Sequence, residues 1–335
     1  MIEAVDLFCG AGGLTAGLRK AGIKVKAGYD IAEECRHAFV ENNQAQFINK
    51  DVNQVDAEEL QSWYSEGAIR LLAGCAPCQP FSTYNQGRDT RQDDKWPLLN
   101  AFARLIREVR PELVTMENVP DVTKHEVYHD FRENLEKLGY HVWAQRVSCS
   151  EYGLPQQRRR HVLLASLMGP IELIAPTHAD RPVTVRDAIG HLKPIASGEC
   201  DTDDPMHKCS KLNELNMRRI RASKPGGTWK EWPKELVTGC HGKETGSSYI
   251  GVYGRMEWDR PSPTMTTLCY GYGNGRFGHP KQDRAISLRE AALLQGFEQS
   301  YEFAPKGKRV PFRSVGRMIG NAVPVKLGEA IGQSF

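Results

Sequence analysis

No apolar run in this 335-residue chain approaches the ~20 residues needed to span a bilayer as a helix. The opening stretch MIEAVDLF lacks the basic segment and apolar core of a secretory leader. There is no internal repeat and no low-complexity tract. Net charge is small, +3, and decides nothing by itself. The nine cysteines are odd in number and irregularly spaced, which argues against a disulfide framework and for free thiols in a reducing compartment. Only one C-x-x-C pair occurs, so the second pair of a structural zinc site is missing. Cys200, His207 and Cys209 are poorly spaced to complete such a site, and no metal centre is expected.

What the chain does have is uneven charge. Residues 206–234 carry a net +6, residues 304–326 hold six bases and no acid, and QQRRRH at 156–161 adds a tight trio. Each cluster alone reads as a solvated helix face. Together they suit a protein with a polyanion on one side.

Residues 1–170 alternate between short apolar runs and helical patterns. EAVDLF, KVKAGYD, IRLLAG, PELVTMEN, YHVWAQRVS and RHVLLASL read as strands. LTAGLRKAG reads as a helix closed by Gly22. IAEECRHAFVENN has helical spacing at Ile31, Cys35, Ala38 and Phe39. PLLNAFARLIREV places Leu98, Phe102, Leu105 and Val109 on one face, with Pro97 at the first helical position. The alternation predicts an α/β fold with a doubly wound, mostly parallel sheet. From 176 to 280 the chain turns rich in Gly, Pro, Thr and charge, as expected of a smaller, irregular second domain. In SLREAALLQGF, Ser287 and Glu290 form a capping-box pattern and Gly296 can close the helix.

DLFCGAGGLTAG joins the first strand to the first helix, where ligands of doubly wound sheets bind. The dinucleotide fingerprint G-x-G-x-x-G is incomplete: Gly10 and Gly12 fit, Thr15 takes the third place, and Gly13 is extra. Asp30 ends the second strand twenty residues after Gly10, well placed for ribose hydroxyls. Asp51 could end a third strand near an adenine edge. An adenosine cofactor without a diphosphate fits, S-adenosylmethionine foremost. The plainer reading is a βα turn with glycines kept for packing.

The cysteine pair lies in GCAPCQPFS, residues 74–82. It could bind metal, pass electrons or supply one nucleophile. A redox pair would open a helix of a small domain. Here a polar loop follows, STYNQGRDTRQDDKW, which suits a lid over a substrate.

APCQPFS resembles the Pro-Cys-Gln segment of DNA (cytosine-5)-methyltransferases. DLFCGAGGLTAGL resembles their cofactor turn, MENVP their Glu-Asn-Val block and YGLPQQRRRHVLLA their Gln-x-Arg-x-Arg block. ISLREAALLQGF resembles the block that scaffolds the recognition domain, and IGNAVP the last block. These six matches stand in the family's order and span residues 6–324.

The resemblance implies the organisation. A catalytic and cofactor domain at 1–175 would be completed by 312–335. A target-recognition domain would occupy 176–285, and a hinge and scaffold helix region 286–311. It implies Cys78 as nucleophile, Glu117 as the acid at ring nitrogen 3, and Arg158 and Arg160 as the arginines of their block, with Arg160 touching the pyrimidine carbonyl. Cys75 is a neighbour without an inferred role. The cofactor, S-adenosylmethionine with S-adenosylhomocysteine as product, would meet Phe8, Gly10, Ala11, Gly12, Gly13, Leu14, Asp30, Ile31, Asp51, Val52, Pro77, Asn321 and Ala322. Gln79 and Ser82, in the loop that closes on DNA, and Arg218, Arg219 and Arg221 in the recognition domain are expected at double-stranded DNA. The chemistry is consistent: carbon 5 of cytosine becomes nucleophilic once a thiolate adds to carbon 6, and the base must leave the stack to be reached.

The resemblance also implies a cytoplasmic, bacterial or phage-type enzyme, monomeric and away from membranes, with or without a cognate restriction endonuclease. Singly, Glu117 could be a salt-bridged strand end and the arginines generic phosphate binders. The competing functions are the tRNA-methylating branch of the family, a non-catalytic DNA-binding paralogue and, weakest, a nicotinamide dehydrogenase.

Overall fold

The computed structural model describes residues 1–77, 96–239 and 241–335. The helices and strands, in chain order, begin with β1 (Ile2–Leu7), α1 (Gly13–Lys20), β2 (Lys24–Asp30), α2 (Arg36–Asn43), β3 (Gln46–Asn49) and α3 (Ala57–Gln61). Then come β4 (Ile69–Gly74), α4 (Trp96–Val109), β5 (Leu113–Asn118), α5 (Glu126–Lys137) and β6 (His141–Ser148). The two-residue β7 (Gln156–Gln157), β8 (Arg159–Ser166), α6 (Val185–Ile189), α7 (Glu214–Ala222) and α8 (Glu244–Ser247) follow. The chain closes with β9 (Ser262–Pro263), α9 (Leu288–Leu294), α10 (Phe312–Asn321) and α11 (Val325–Gln333).

Two compact units emerge. The first comprises Met1–Tyr152, Arg159–Thr177 and Ala322–Phe335; the second comprises Gly153–Arg158 and His178–Asn321. α10 thus falls in the second unit and α11 in the first.

The first unit is built on a seven-stranded sheet of order β3-β2-β1-β4-β5-β8-β6. β3, β2, β1, β4 and β5 run parallel, while β8 is antiparallel to both β5 and β6. This is the α/β architecture expected from the alternating pattern. The apolar runs AVDL and LLAG are buried throughout, as strands covered on both faces must be. α4 and α5 pack on the sheet through Phe102 and Phe131, whose rings lie 5.5 Å apart.

α1 and α11 approach too closely for side chains between them. A Cβ on Gly13 would sit 2.1 Å from the Val323 carbonyl oxygen, and one on Gly17 would sit 2.4 Å from that of Val325. Gly13, extra to the dinucleotide pattern, is therefore required by packing.

One sequence expectation is corrected here. The pattern from Ile31 to Phe39 is not one helix. A short 3₁₀ turn, Glu33–Cys35, precedes α2, which starts at Arg36. Ile31 takes no part in the apolar stripe and stands 71% exposed at the end of β2.

The second unit contains little regular structure besides α6, α7, α9 and α10. The Ser287–Glu290 capping box forms as expected, and a second, Thr184 with Asp187, opens α6. Buried arginines do much of the joining. Arg284, fully buried, makes two 2.7 Å hydrogen bonds to the carboxylate of Glu290. Arg255 donates to the carbonyls of Ile220, Ser223, His279 and Gln282 and pairs with Asp283. Among the described residues no helix is long and apolar enough to cross a membrane.

Candidate active site

The carboxyl ends of β1, β2, β4 and β5 gather the expected site residues of the first unit. After β1 the chain turns sharply: Phe8 (φ 60°), Gly10 (φ 50°) and Gly12 (φ 88°) all take left-handed conformations. Glycine adopts these without cost, whereas Phe8 stores strain. Gly12 caps α1, and its carbonyl accepts the first helical hydrogen bond from Ala16. The turn is closed by Asp30. One carboxylate oxygen accepts from Gly10 N (2.9 Å), the other from Ala32 N (2.8 Å). Burial pushes the Asp30 carboxyl above the usual range, and these N–H groups pull it back.

Behind the turn lies Asp6 at the end of β1. Its Oδ2 accepts from the buried hydroxyl of Thr15 at 2.6 Å, and its Oδ1 accepts no hydrogen bond. Burial pushes its carboxyl up to about 7. Burial likewise pushes the thiol of Cys9, within the turn, well up.

Asp51 caps a 3₁₀ turn by accepting from Asn53 N at 2.9 Å, with Val52 buried beneath it. Ala11 and Leu14 are buried in the turn and first helix, and Ala322 lies buried beside Gly13. Pro77 is half-buried. Asn321, in the second unit, is exposed and accepts from the Thr267 hydroxyl at 2.8 Å.

Glu117 is 2% exposed, near the end of β5. Arg160 Nε from β8 lies 2.7 Å from its Oε1, although the N–H is not aimed along a hydrogen bond, and Oε1 has no aligned donor. Oε2 accepts from the thiol of Cys75 at 2.8 Å. The next residue, Asn118, donates to the Ala76 carbonyl (3.2 Å) and accepts from Val119 N (2.8 Å), fixing the chain just before Pro77. Sequence reading assigned no role to Cys75 or Asn118. The signal for Asn118 was its place in MENVP; for Cys75 it was its position one residue past β4, opposite Glu117.

The other expected residues are distributed differently. Arg158 is buried in the second unit and donates to the Met265 carbonyl at 2.8 Å. It braces 156–158 against 262–265. Arg219 supports the second unit from within. It is buried, donates to Leu236 O and Asn216 Oδ1 (both 2.9 Å), and its guanidinium lies over the Tyr253 ring. Arg218 and Arg221 are exposed, with loose partners in Glu235 (3.6 Å) and Asp283 (3.3 Å). Cys78, Gln79 and Ser82 lie outside the described residues.

The model of the family described as C-5 cytosine-specific DNA methylase matches residues 2–335. The chain is 53% identical to the Type II methylase M.HgiDII of Herpetosiphon aurantiacus, over all of this chain and 95% of that one. It is 29% identical to the Type II methyltransferase M.Eco47II of Escherichia coli, over 98% of this chain and 78% of that one. Among solved structures, one described as a DNA modification methyltransferase encoded within an E. coli prophage superposes with a TM-score of 0.75 at 22% identity, over 100% of this chain and 98% of that one.

Proposed function

The chain belongs to the C-5 cytosine-specific DNA methylase family, and from that premise we propose that it methylates carbon 5 of a cytosine flipped out of a specific duplex DNA sequence, through a covalent adduct of Cys78. The observation that carries the proposal is the buried Glu117 carboxylate at the end of β5, flanked by Arg160 and adjacent to the strand end that leads into Pro77 and Cys78.

The residues of the first unit fit S-adenosylmethionine. The left-handed turn at Phe8, Gly10 and Gly12 lets backbone approach a ligand closely. Asp30 retains lone pairs for ribose hydroxyls beyond its two backbone donors. Ile31, exposed beside it, offers an apolar face to an adenine ring. Asp51 and Val52 follow at the end of β3. The cofactor, when bound, supplies an electrophilic methyl group.

The chain's own groups then do the following. The Cys78 thiolate adds to carbon 6 of the cytosine, and the carbon 5–carbon 6 π electrons shift toward the ring nitrogens. Glu117 gives its proton to nitrogen 3, so no charge builds there. Carbon 5 of the resulting enamine takes the methyl group. Loss of the carbon 5 proton to a base and expulsion of the thiolate restore the ring, and nitrogen 3 returns its proton to Glu117. Arg160 holds the Glu117 carboxyl and faces the pyrimidine carbonyl. The target must be extruded, because carbon 6 lies inside the stack. Arg218 and Arg221 face phosphates, and Gln79 and Ser82 meet the DNA around the extruded base.

The Type II names of the relatives support a place in a restriction-modification system, acting on DNA in the cytoplasm. The test is bisulfite sequencing of duplex DNA incubated with the protein and S-adenosylmethionine. Protected cytosines at one recurring sequence are expected. No protected cytosine, or methylation of tRNA alone, would overturn the assignment.

A further inference from the structure

We infer that Cys75 is a positioning residue for the reaction, its thiol holding the Glu117 carboxyl in place. The inference rests on the catalytic role proposed for Glu117. Three neighbouring strands carry the arrangement. β4 and β5 are parallel with Gly74 paired to Met116, so the next residues, Cys75 and Glu117, are abreast. The Cys75 backbone N–H is tied to the Leu7 carbonyl at 3.3 Å, which fixes the direction of its side chain. On the other side of β5, His161 of β8 pairs with Asn118, bringing Arg160 to Glu117. The carboxyl is thus gripped from both flanks: Oε2 by the Cys75 thiol at 2.8 Å and Oε1 by Arg160 Nε at 2.7 Å.

The two grips differ in chemistry. A guanidinium only donates, so Arg160 favours the carboxylate. A thiol is both a weak donor and a weak acceptor. Cys75 can donate to the carboxylate and, when the side chain is protonated, accept from its O–H. A group that must give a proton to the base and take it back within one turnover needs a neighbour that tolerates both states.

The test is the single-turnover rate of covalent adduct formation on a duplex whose target cytosine carries fluorine at carbon 5, measured across pH with the full chain and S-adenosylmethionine. Cys75→Ala should slow adduct formation about five- to tenfold, as expected for losing one hydrogen bond to an ionisable group. It should also move the alkaline limb of the profile to higher pH, because the carboxylate loses a donor. Cys75→Ser, which keeps a donor and acceptor, should restore most of the rate and the position of the limb. A structural role would not move the limb. If Cys75→Ala proves too unstable to assay, Cys75→Val, which also lacks the thiol, takes its place: combined with Glu117→Gln its rate should equal that of Glu117→Gln alone, and a further multiplicative loss would contradict the proposal. An unshifted limb in Cys75→Ala, or equal damage from Ala and Ser, overturns the role of the thiol while leaving Glu117 intact. Adduct formation by Glu117→Gln at the wild-type rate overturns the Glu117 reading itself.

Discussion

The two units are held together by different chemistry. In the first, backbone groups satisfy one another across seven strands, and the side chains of a continuous apolar core need only fill space. In the second, regular ladders are scarce, and loop carbonyls are satisfied by arginines. Arg255 alone binds four of them, and Arg284 joins Ile195 O to the Glu290 carboxylate. A sheet tolerates substitution along its edges. A loop assembly hung on buried guanidinium groups does not, because losing one leaves several polar partners without water or protein.

The largest expected effect strikes the second unit. Arg284→Met should cost about 3–5 kcal/mol, since Glu290 is left buried without its counter-charge. Hydrogen exchange should show the loss at amides of α9 and 255–286 first, with the sheet amides of the first unit retaining their protection. Uniform loss over both units would erase the distinction drawn here.

The first unit has a buried charge of its own, and pH isolates it. Asp6, pushed up to about 7, binds its proton in the folded chain at pH values where the unfolded chain has lost it. The Asp6 contribution to stability therefore falls as pH rises between about 4 and 7, by on the order of 1 kcal/mol per unit, and levels off above. His161 and His279 act oppositely: burial lowers both to about 4, so the unfolded chain gains protons first and stability falls as pH drops from about 6.5. Asp6→Asn keeps an acceptor for Thr15 and should remove only the Asp6 slope. Denaturant titrations from pH 4 to 8 that give parallel curves for variant and wild type would refute the buried, proton-holding Asp6.

Ligand binding should divide along the same line. Asp30→Ala is expected to weaken S-adenosylmethionine binding by about 1.5–3 kcal/mol, the range for a charged hydrogen-bond partner, with duplex affinity in the absence of cofactor unchanged. Calorimetry showing normal cofactor affinity would remove Asp30 from that site. The smallest effect concerns Arg218 and Arg221. Replacing both with Gln should flatten the dependence of log affinity on log salt by about 2 if each neutralises one phosphate. Arg219→Gln should instead lower the melting temperature, because its guanidinium is spent on Leu236 O and Asn216.

How far the sequence spoke for itself follows the same division. IRLLAG marks β4 to the residue, because an apolar run between turns has one way to be buried. Ser287 and Glu290 announce the start of α9 through local chemistry alone. Where the fate of a side chain depends on distant loops, composition misleads. Arg219 looks like surface charge among its neighbours, yet Leu236 and Tyr253 enclose it. Ile31 fits a helical stripe by spacing, yet the turn at 33–35 leaves it exposed. The places of Asp30 and Glu117 were legible, because each stands at the end of an apolar run that forms a strand of the sheet. Cys75 was not, because its partner is 42 residues away and only strand pairing brings the two abreast.

The most direct test of the central claim is to map the covalent adduct. Wild-type protein, S-adenosylmethionine and the fluorinated duplex should give a stable protein–DNA complex, since fluorine cannot leave carbon 5 as a proton does. Peptide mapping should place the link at Cys78. Cys78→Ser should form none, a hydroxyl of high pKa being a far weaker nucleophile than a thiolate. A link at Cys75, or no link on DNA the protein demonstrably methylates, would contradict the mechanism.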